Sequence, residues 1–287
     1  MDLTTWISTV MGPPTKAVAA SLLAVALATG SADAAEKFAA VVVFGDSLSD
    51  NGNAGRYSNG PVWVEELGTR LGLRVEPSDG GGWNFAVGGA RLDPNSGPTS
   101  LAAQADRYLA RARPDGRVLH VAFGGGNDVL GAVALPGAER MVDQAAAALK
   151  SILDDLAEHG ATDILVPTLP DVGMTPAMRS RGARAAAEAR ALTDRFNAAV
   201  DRAVQDVDGR HTVRFHRLDV HAMAERARHD PSAFGFVDVA SPCQALTSCE
   251  GYLFWDEVHP TAPAHRRLAE AAFELVSNGG GEETGAP

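Results

Sequence analysis

Four short apolar runs punctuate the chain with almost no polar alternation: residues 39–44 (Ala-Ala-Val-Val-Val-Phe), 118–123, 164–166 and 213–215. Strands covered on both faces read this way, because neither face meets water. Between the runs the apolar residues recur at three and four. Met141, Ala145, Leu149, Ile152 and Leu156 mark one helix, Leu192, Phe196, Val200 and Val204 a second, and Leu268, Ala271, Ala272 and Leu275 a third. A shorter helix is expected over 61–71, with Pro61 near its start. The alternation β-α-β-α-β-α-β-α predicts an α/β fold, one parallel sheet with helices on both faces. Ligands of such sheets bind beyond the carboxyl ends of the strands, so the residues that follow each strand are the first candidates for chemistry.

The two ends of the chain fall outside this pattern. After Lys16 comes an apolar, small-residue run over 17–30, then Ser31-Ala32-Asp33-Ala34-Ala35, in which Ala32 and Ala34 form an A-x-A cleavage signal. An export signal over 1–34 is the expectation, with a secreted or periplasmic mature protein. The run is too short to cross a hydrocarbon core of roughly 30 Å as a helix. Asp2 offsets Lys16, which leaves an amphipathic terminus that is never cut as the competing reading. Residues 278–287 read as a flexible polar tail, and no linker divides 35–277, which is expected to be one domain.

Composition removes some partners. The 25 Lys and Arg against 36 Asp and Glu leave a formal net charge of −11. That excess repels phosphate backbones and anionic bilayers, so no nucleic-acid partner is expected; no segment after 34 resembles an integral membrane span. The two cysteines, Cys243 and Cys249, close a loop of seven residues. In an oxidising compartment such a pair forms a disulfide; two free thiols are the alternative if the chain is not exported. Their spacing fits no common zinc pattern, and Asp46, Asp50 and Asp128 fit no EF-hand loop, so no metal is expected.

Candidate chemistry sits where the fold predicts it. The first strand runs into Phe44-Gly45-Asp46-Ser47-Leu48, which places a serine hydroxyl at a cleft with backbone N–H groups after it, although a serine there is also an ordinary helix cap. Far along the chain, Phe254-Trp255-Asp256-Glu257-Val258-His259-Pro260 sets a carboxylate three residues before a histidine. On a tight turn Asp256 accepts from one ring nitrogen of His259 and leaves the other free for Ser47; a satisfied surface histidine is the plain alternative. Asn84-Phe85-Ala86-Val87-Gly88-Gly89-Ala90 and Gly124-Gly125-Gly126-Asn127-Asp128 offer backbone and amide donors for a developing oxyanion, or are glycine turns with no further role.

Together these four segments resemble the GDSL esterase/lipase family, the SGNH hydrolases, with Ser47, Gly89, Asn127 and His259 matching the four blocks in order. Arg56 to Trp63 (Arg-Tyr-Ser-Asn-Gly-Pro-Val-Trp) and Leu169-Pro170-Asp171 add likeness to the longer lipase-like bacterial branch of phospholipase and haemolysin-type enzymes. The resemblance implies a flavodoxin-like three-layer α/β/α sandwich around a central parallel sheet. It further implies a triad of Ser47, His259 and Asp256, and an oxyanion hole from the N–H of Ser47, the N–H of Gly89 and the side chain of Asn127. The N–H of Gly88 competes for the second position; Gly89 is preferred for its spacing from Asn84. A small-molecule or lipid ester is the implied substrate, with no cofactor, and the protein is expected to be a monomer. Carbohydrate O-acetylesterase, acyltransferase and an inactive binding or adhesion protein on the same fold are the alternatives.

Overall fold

The computed structural model describes residues 37–111 and 113–278. The export signal expected over 1–34 and the tail beyond 278 lie outside the described residues.

β1 (Ala40–Gly45) is followed by α1 (Trp63–Leu71) and α2 (Leu101–Leu109) before β2 (Val118–Phe123). Then come α3 (Gly126–Ala132), α4 (Ala138–Glu158), β3 (Asp163–Pro167), α5 (Pro176–Ser180), α6 (Ala183–Asp208), β4 (Arg214–Leu218) and α7 (Val220–His229). A short pair of strands, β5 (Asp238–Pro242) and β6 (Tyr252–Phe254), precedes the last helix, α8 (Ala262–Asn278). The main sheet is parallel in the order β1-β2-β3-β4. α1 packs on α8, while α4 packs on α6 with α2 and α3 beside it, so helices flank the sheet in the expected three layers.

β1, β2 and β3 are buried almost throughout, as their unbroken apolar sequences require. β4 departs from the expectation. It lies at the sheet edge and alternates, with His216 and Leu218 buried and Arg214 exposed. α8 is also turned from the expected face: His265, Leu268, Ala269, Ala272 and Val276 are buried, whereas Ala271 and Leu275 are only partly covered.

A fifth, irregular edge is held by hydrogen bonds that local sequence does not announce. Val43 N–H donates to Trp83 O at 3.0 Å, Phe85 N–H to Val43 O at 2.8 Å and Val87 N–H to Gly45 O at 3.1 Å, the ladder of a parallel pair. Residues 83–87 therefore lie on the free side of β1. The chain leaves β1 for this edge and then crosses back to β2 on the other side. That reversal makes the carboxyl end of β1 the topological switch point, where α/β sheets open a crevice. In register, Gly45 lies beside Phe123 and is bonded to Val87, so three loops emerge together: 46–53, 88–91 and 124–127.

Candidate active site

Ser47 follows β1 directly, and its position is set from below. Gly45 is clamped from α2 by the buried Gln104, whose Oε1 accepts the Gly45 N–H at 2.8 Å while its Nε2 donates to Gly45 O at 2.9 Å. A Cβ on Gly45 would meet Phe123 O at 2.9 Å, so glycine is needed for β1 and β2 to run this close. Asp46, 3 % exposed, accepts the Leu48 N–H through Oδ1 at 3.0 Å and turns the chain sharply after the strand. Burial pushes its carboxyl up to about 6, against the pull of that N–H and of nearby His259.

His259 arrives 212 residues later on a turn closed by Trp255 N–H donating to His259 O at 2.8 Å. Its Nε2 stands 2.8 Å from Ser47 Oγ, and its Nδ1 stands 2.7 Å from Asp256 Oδ2. An ionised carboxylate only accepts, so Nδ1 carries the hydrogen and Nε2 is left to accept from the Ser47 hydroxyl. The other carboxylate oxygen of Asp256 takes the backbone N–H groups of His259 and Val258 at 2.7 and 2.8 Å. Burial alone would raise this acid; the ring N–H and the two backbone donors outweigh it and hold Asp256 below the ordinary carboxylate value.

The Arg56 to Trp63 segment explains itself in space. Ser58 Oγ donates to Pro260 O at 2.9 Å, Asn59 Oδ1 accepts the Ala262 N–H at 2.7 Å, and Trp63 N–H donates to His265 Nδ1 at 3.3 Å. It is a strap over the turn that carries His259. Tyr57 adds a wall, its ring centroid 5.1 Å from that of His259. The disulfide pairing of Cys243 with Cys249 is formed. It serves the same turn: Cys243 N–H donates to Phe254 O and Trp255 O, and Gln244 N–H to Trp255 O at 2.7 Å.

The oxyanion candidates are distinguished by what their donors already do. Gly88 N–H is spent on Asp50 Oδ2 at 2.8 Å, whereas Gly89 N–H and Ser47 N–H have no acceptor among the described residues. A Cβ on Gly88 would lie 2.3 Å from Tyr57 Oη and displace that side chain; Gly89 has open space but a φ of +79°. Asn127 opens α3 beyond Gly125, its Nδ2 donates to Ala90 O at 2.9 Å, and its second amide hydrogen remains available. Asp50 is the residue sequence reasoning undervalued. Fully buried, it gathers the N–H groups of Gly52 and Asn53 on Oδ1 and of Ala54 and Gly88 on Oδ2.

Ser47, Asn127 and His259 share one cavity of about 150 Å³, whose remaining wall is mostly apolar. A wider hollow of about 1130 Å³ lies at the opposite, amino-terminal end of the strands, around His120 and Asp163. Among the described residues no three His, Cys, Asp or Glu side chains cluster as metal ligands. Two arginines of α6 are paired with acids outside that helix. Arg190 pairs with Asp171 and Glu225, and Arg195 with Asp143, so the bonds tie elements together and do not run along the helix.

Residues 41–272 match the family model described as GDSL-like lipase/acylhydrolase. The chain belongs to this family. It is 37% identical over 163 residues to Lipase 1 of Photorhabdus luminescens, a match covering 53% of this chain and 25% of that protein. It is 27% identical over 327 residues to the phosphatidylcholine-sterol acyltransferase of Aeromonas hydrophila, covering 88% of this chain and 95% of that protein. The chain thus spans about a quarter of the length of the first relative and nearly all of the second. Among solved structures, a catalytic mutant of an acetylxylan esterase from Geobacillus stearothermophilus shares the fold, with a TM-score of 0.51 and 18% identity over 83% of this chain and 93% of that one.

Proposed function

We propose that this GDSL-family chain is an exported serine esterase that hydrolyses carboxylic esters through an acyl-enzyme on Ser47. The observation that carries the reading is the unbroken relay Asp256 Oδ2, His259 Nδ1, His259 Nε2, Ser47 Oγ, at 2.7 and 2.8 Å. Ser47 Oγ attacks the ester carbonyl carbon while its proton passes to His259 Nε2. The carbonyl oxygen becomes an oxyanion, held by the N–H groups of Ser47 and Gly89 and the free amide hydrogen of Asn127, each worth roughly 10²–10³ in kcat when aligned. Asp256 steadies the imidazolium. The C–O bond to the alcohol breaks and the alcohol leaves with the proton from Nε2. Water then adds to the acyl carbon, giving its proton to Nε2; the bond to Oγ breaks, Oγ takes the proton back, and the acid is released.

The family's relatives include a lipase and a phosphatidylcholine-sterol acyltransferase, which favours lipid or small acyl esters as substrates; transfer of the acyl group to an alcohol in place of water is the second reading. Export rests on the A-x-A pattern at Ala32 and Ala34 and on the Cys243–Cys249 bridge.

Purified from the secreted or periplasmic fraction, the protein is expected to begin at Ala35 and to hydrolyse p-nitrophenyl esters, and Ser47→Ala is expected to lower kcat/KM at least about 10³-fold. Equal rates in the two proteins would instead favour a non-catalytic binding role.

A further inference from the structure

The cavity beside Ser47 carries more than a place for the reaction. Its apolar wall comes from Leu130 on α3, Leu169, Val172 and Met174 after β3, Phe254 and Leu268. Two polar residues in that wall, Asp171 and Thr175, have their polar atoms engaged by neighbouring groups. Asp171 accepts Gly173 N–H at 2.8 Å and Arg190 Nε at 2.7 Å, and Thr175 Oγ1 donates to Val172 O at 2.8 Å. His265 is fully buried and its Nδ1 takes Trp63 N–H, while its Nε2 has no hydrogen-bond partner among the described residues; burial lowers the ring to about 3. An occupant that needs hydrogen bonds along its length, such as a sugar ring, finds few offered by so apolar a wall.

From this lining and volume we infer that the cavity is an acyl pocket of limited depth, selecting medium-short acyl groups with a maximum near hexanoyl. The inference rests on the serine esterase reading above and adds which ester is cut. A largely apolar hollow of about 150 Å³ admits a group of about six carbons, as a cavity of that size admits benzene. An acetyl group leaves most of it unfilled. A chain of twelve or more carbons overfills it and must stay in water or force the wall apart. The acyl half is the occupant because it stays on Ser47 through both steps, whereas the alcohol has to leave before water enters.

The test is kcat/KM on p-nitrophenyl esters from acetyl to dodecanoyl, each below its aggregation limit. The expected profile rises about three- to fourfold per methylene up to hexanoyl and falls more than tenfold by dodecanoyl. A maximum at acetyl, a flat profile, or a rise continuing to dodecanoyl overturns the pocket while leaving a Ser47-dependent esterase standing. No Ser47-dependent hydrolysis at any length overturns the esterase reading itself. A parallel series of acetate esters of lengthening alcohols separates the two halves of the substrate: an optimum there, and none in the acyl series, assigns the hollow to the alcohol and overturns the inference. Leu130→Trp, which fills the cavity one turn beyond Asn127, is expected to lower the hexanoyl-to-acetyl ratio of kcat/KM at least tenfold, and an unchanged ratio in a folded variant counts against it.

Discussion

Asp50 shows how much of a reacting centre is built by groups that never touch the substrate. Its carboxylate collects four backbone N–H groups and, by taking Gly88, leaves Gly89 as the loop donor without an acceptor. Asp50→Asn keeps the shape but turns two hydrogens toward the donors of Ala54 and Gly88, a mismatch worth about 1–3 kcal/mol. The loop bearing Gly89 is then expected to shift, lowering kcat about 10- to 100-fold with KM within about twofold. Steady-state kinetics on a variant with an intact thermal transition decides it; an unchanged kcat would remove Asp50 from any role in positioning the donors.

At the level of elements, the turn carrying His259, the proposed base, is the part of the site with least regular structure of its own. Asp256 and His259 lie between the three-residue β6 and α8, and the turn is held by the strap from 58–63 and by the disulfide loop. Opening a ring this short forfeits about 2 kcal/mol of chain-entropy stabilisation. Cys243→Ser with Cys249→Ser is therefore expected to lower Tm by roughly 4–8 °C. It should also reduce kcat several-fold, because the backbone bonds from Cys243 and Gln244 to Trp255 loosen. Reductant added to the unmodified protein should reproduce both effects. Full activity after verified reduction would confine the bridge to stability.

For the whole molecule, two buried histidines, His120 and His265, make stability depend on pH. Burial lowers His265 to about 3 and His120 to about 4, so the native state keeps both rings neutral while the unfolded chain protonates them near 6.5. Their folded-state values lie below the unfolded ones, so the unfolded state binds more protons and stability falls as pH drops from 6.5 toward 4 and 3. Asp46 works in the opposite sense. Its native proton is held up to about 6 against 3.8 unfolded, so its contribution weakens as pH rises between those values. His265→Asn, with an oxygen to accept the Trp63 N–H, is expected to remove about one proton from the linkage, roughly 1 kcal/mol per pH unit between pH 6 and 4. Denaturant titrations at several pH values measure it, and an unaltered slope would show that His265 is not held neutral in the native state.

Local pattern determined the strand at 118–123, the helices around 141–156 and 192–204, and the residue types of the candidate site, because burial on both faces and helical spacing leave their mark within a few residues. The Asp-x-x-His spacing was equally local, since one tight turn brings the two side chains together. The edge at 83–87 was not legible as a strand: its partner is β1, forty residues earlier, and the hydrogen bonds that define it depend on where that strand lies. Which of the Gly88 and Gly89 N–H groups is left without an acceptor likewise depends on distant neighbours, Asp50 and Tyr57, which occupy one N–H and one side of the backbone. β4 read as fully covered until its edge position exposed alternate residues. The cavity volume belongs wholly to tertiary structure. It is the space left when side chains from α3, the loop after β3, β6 and α8 have packed, and a residual space has no sequence of its own.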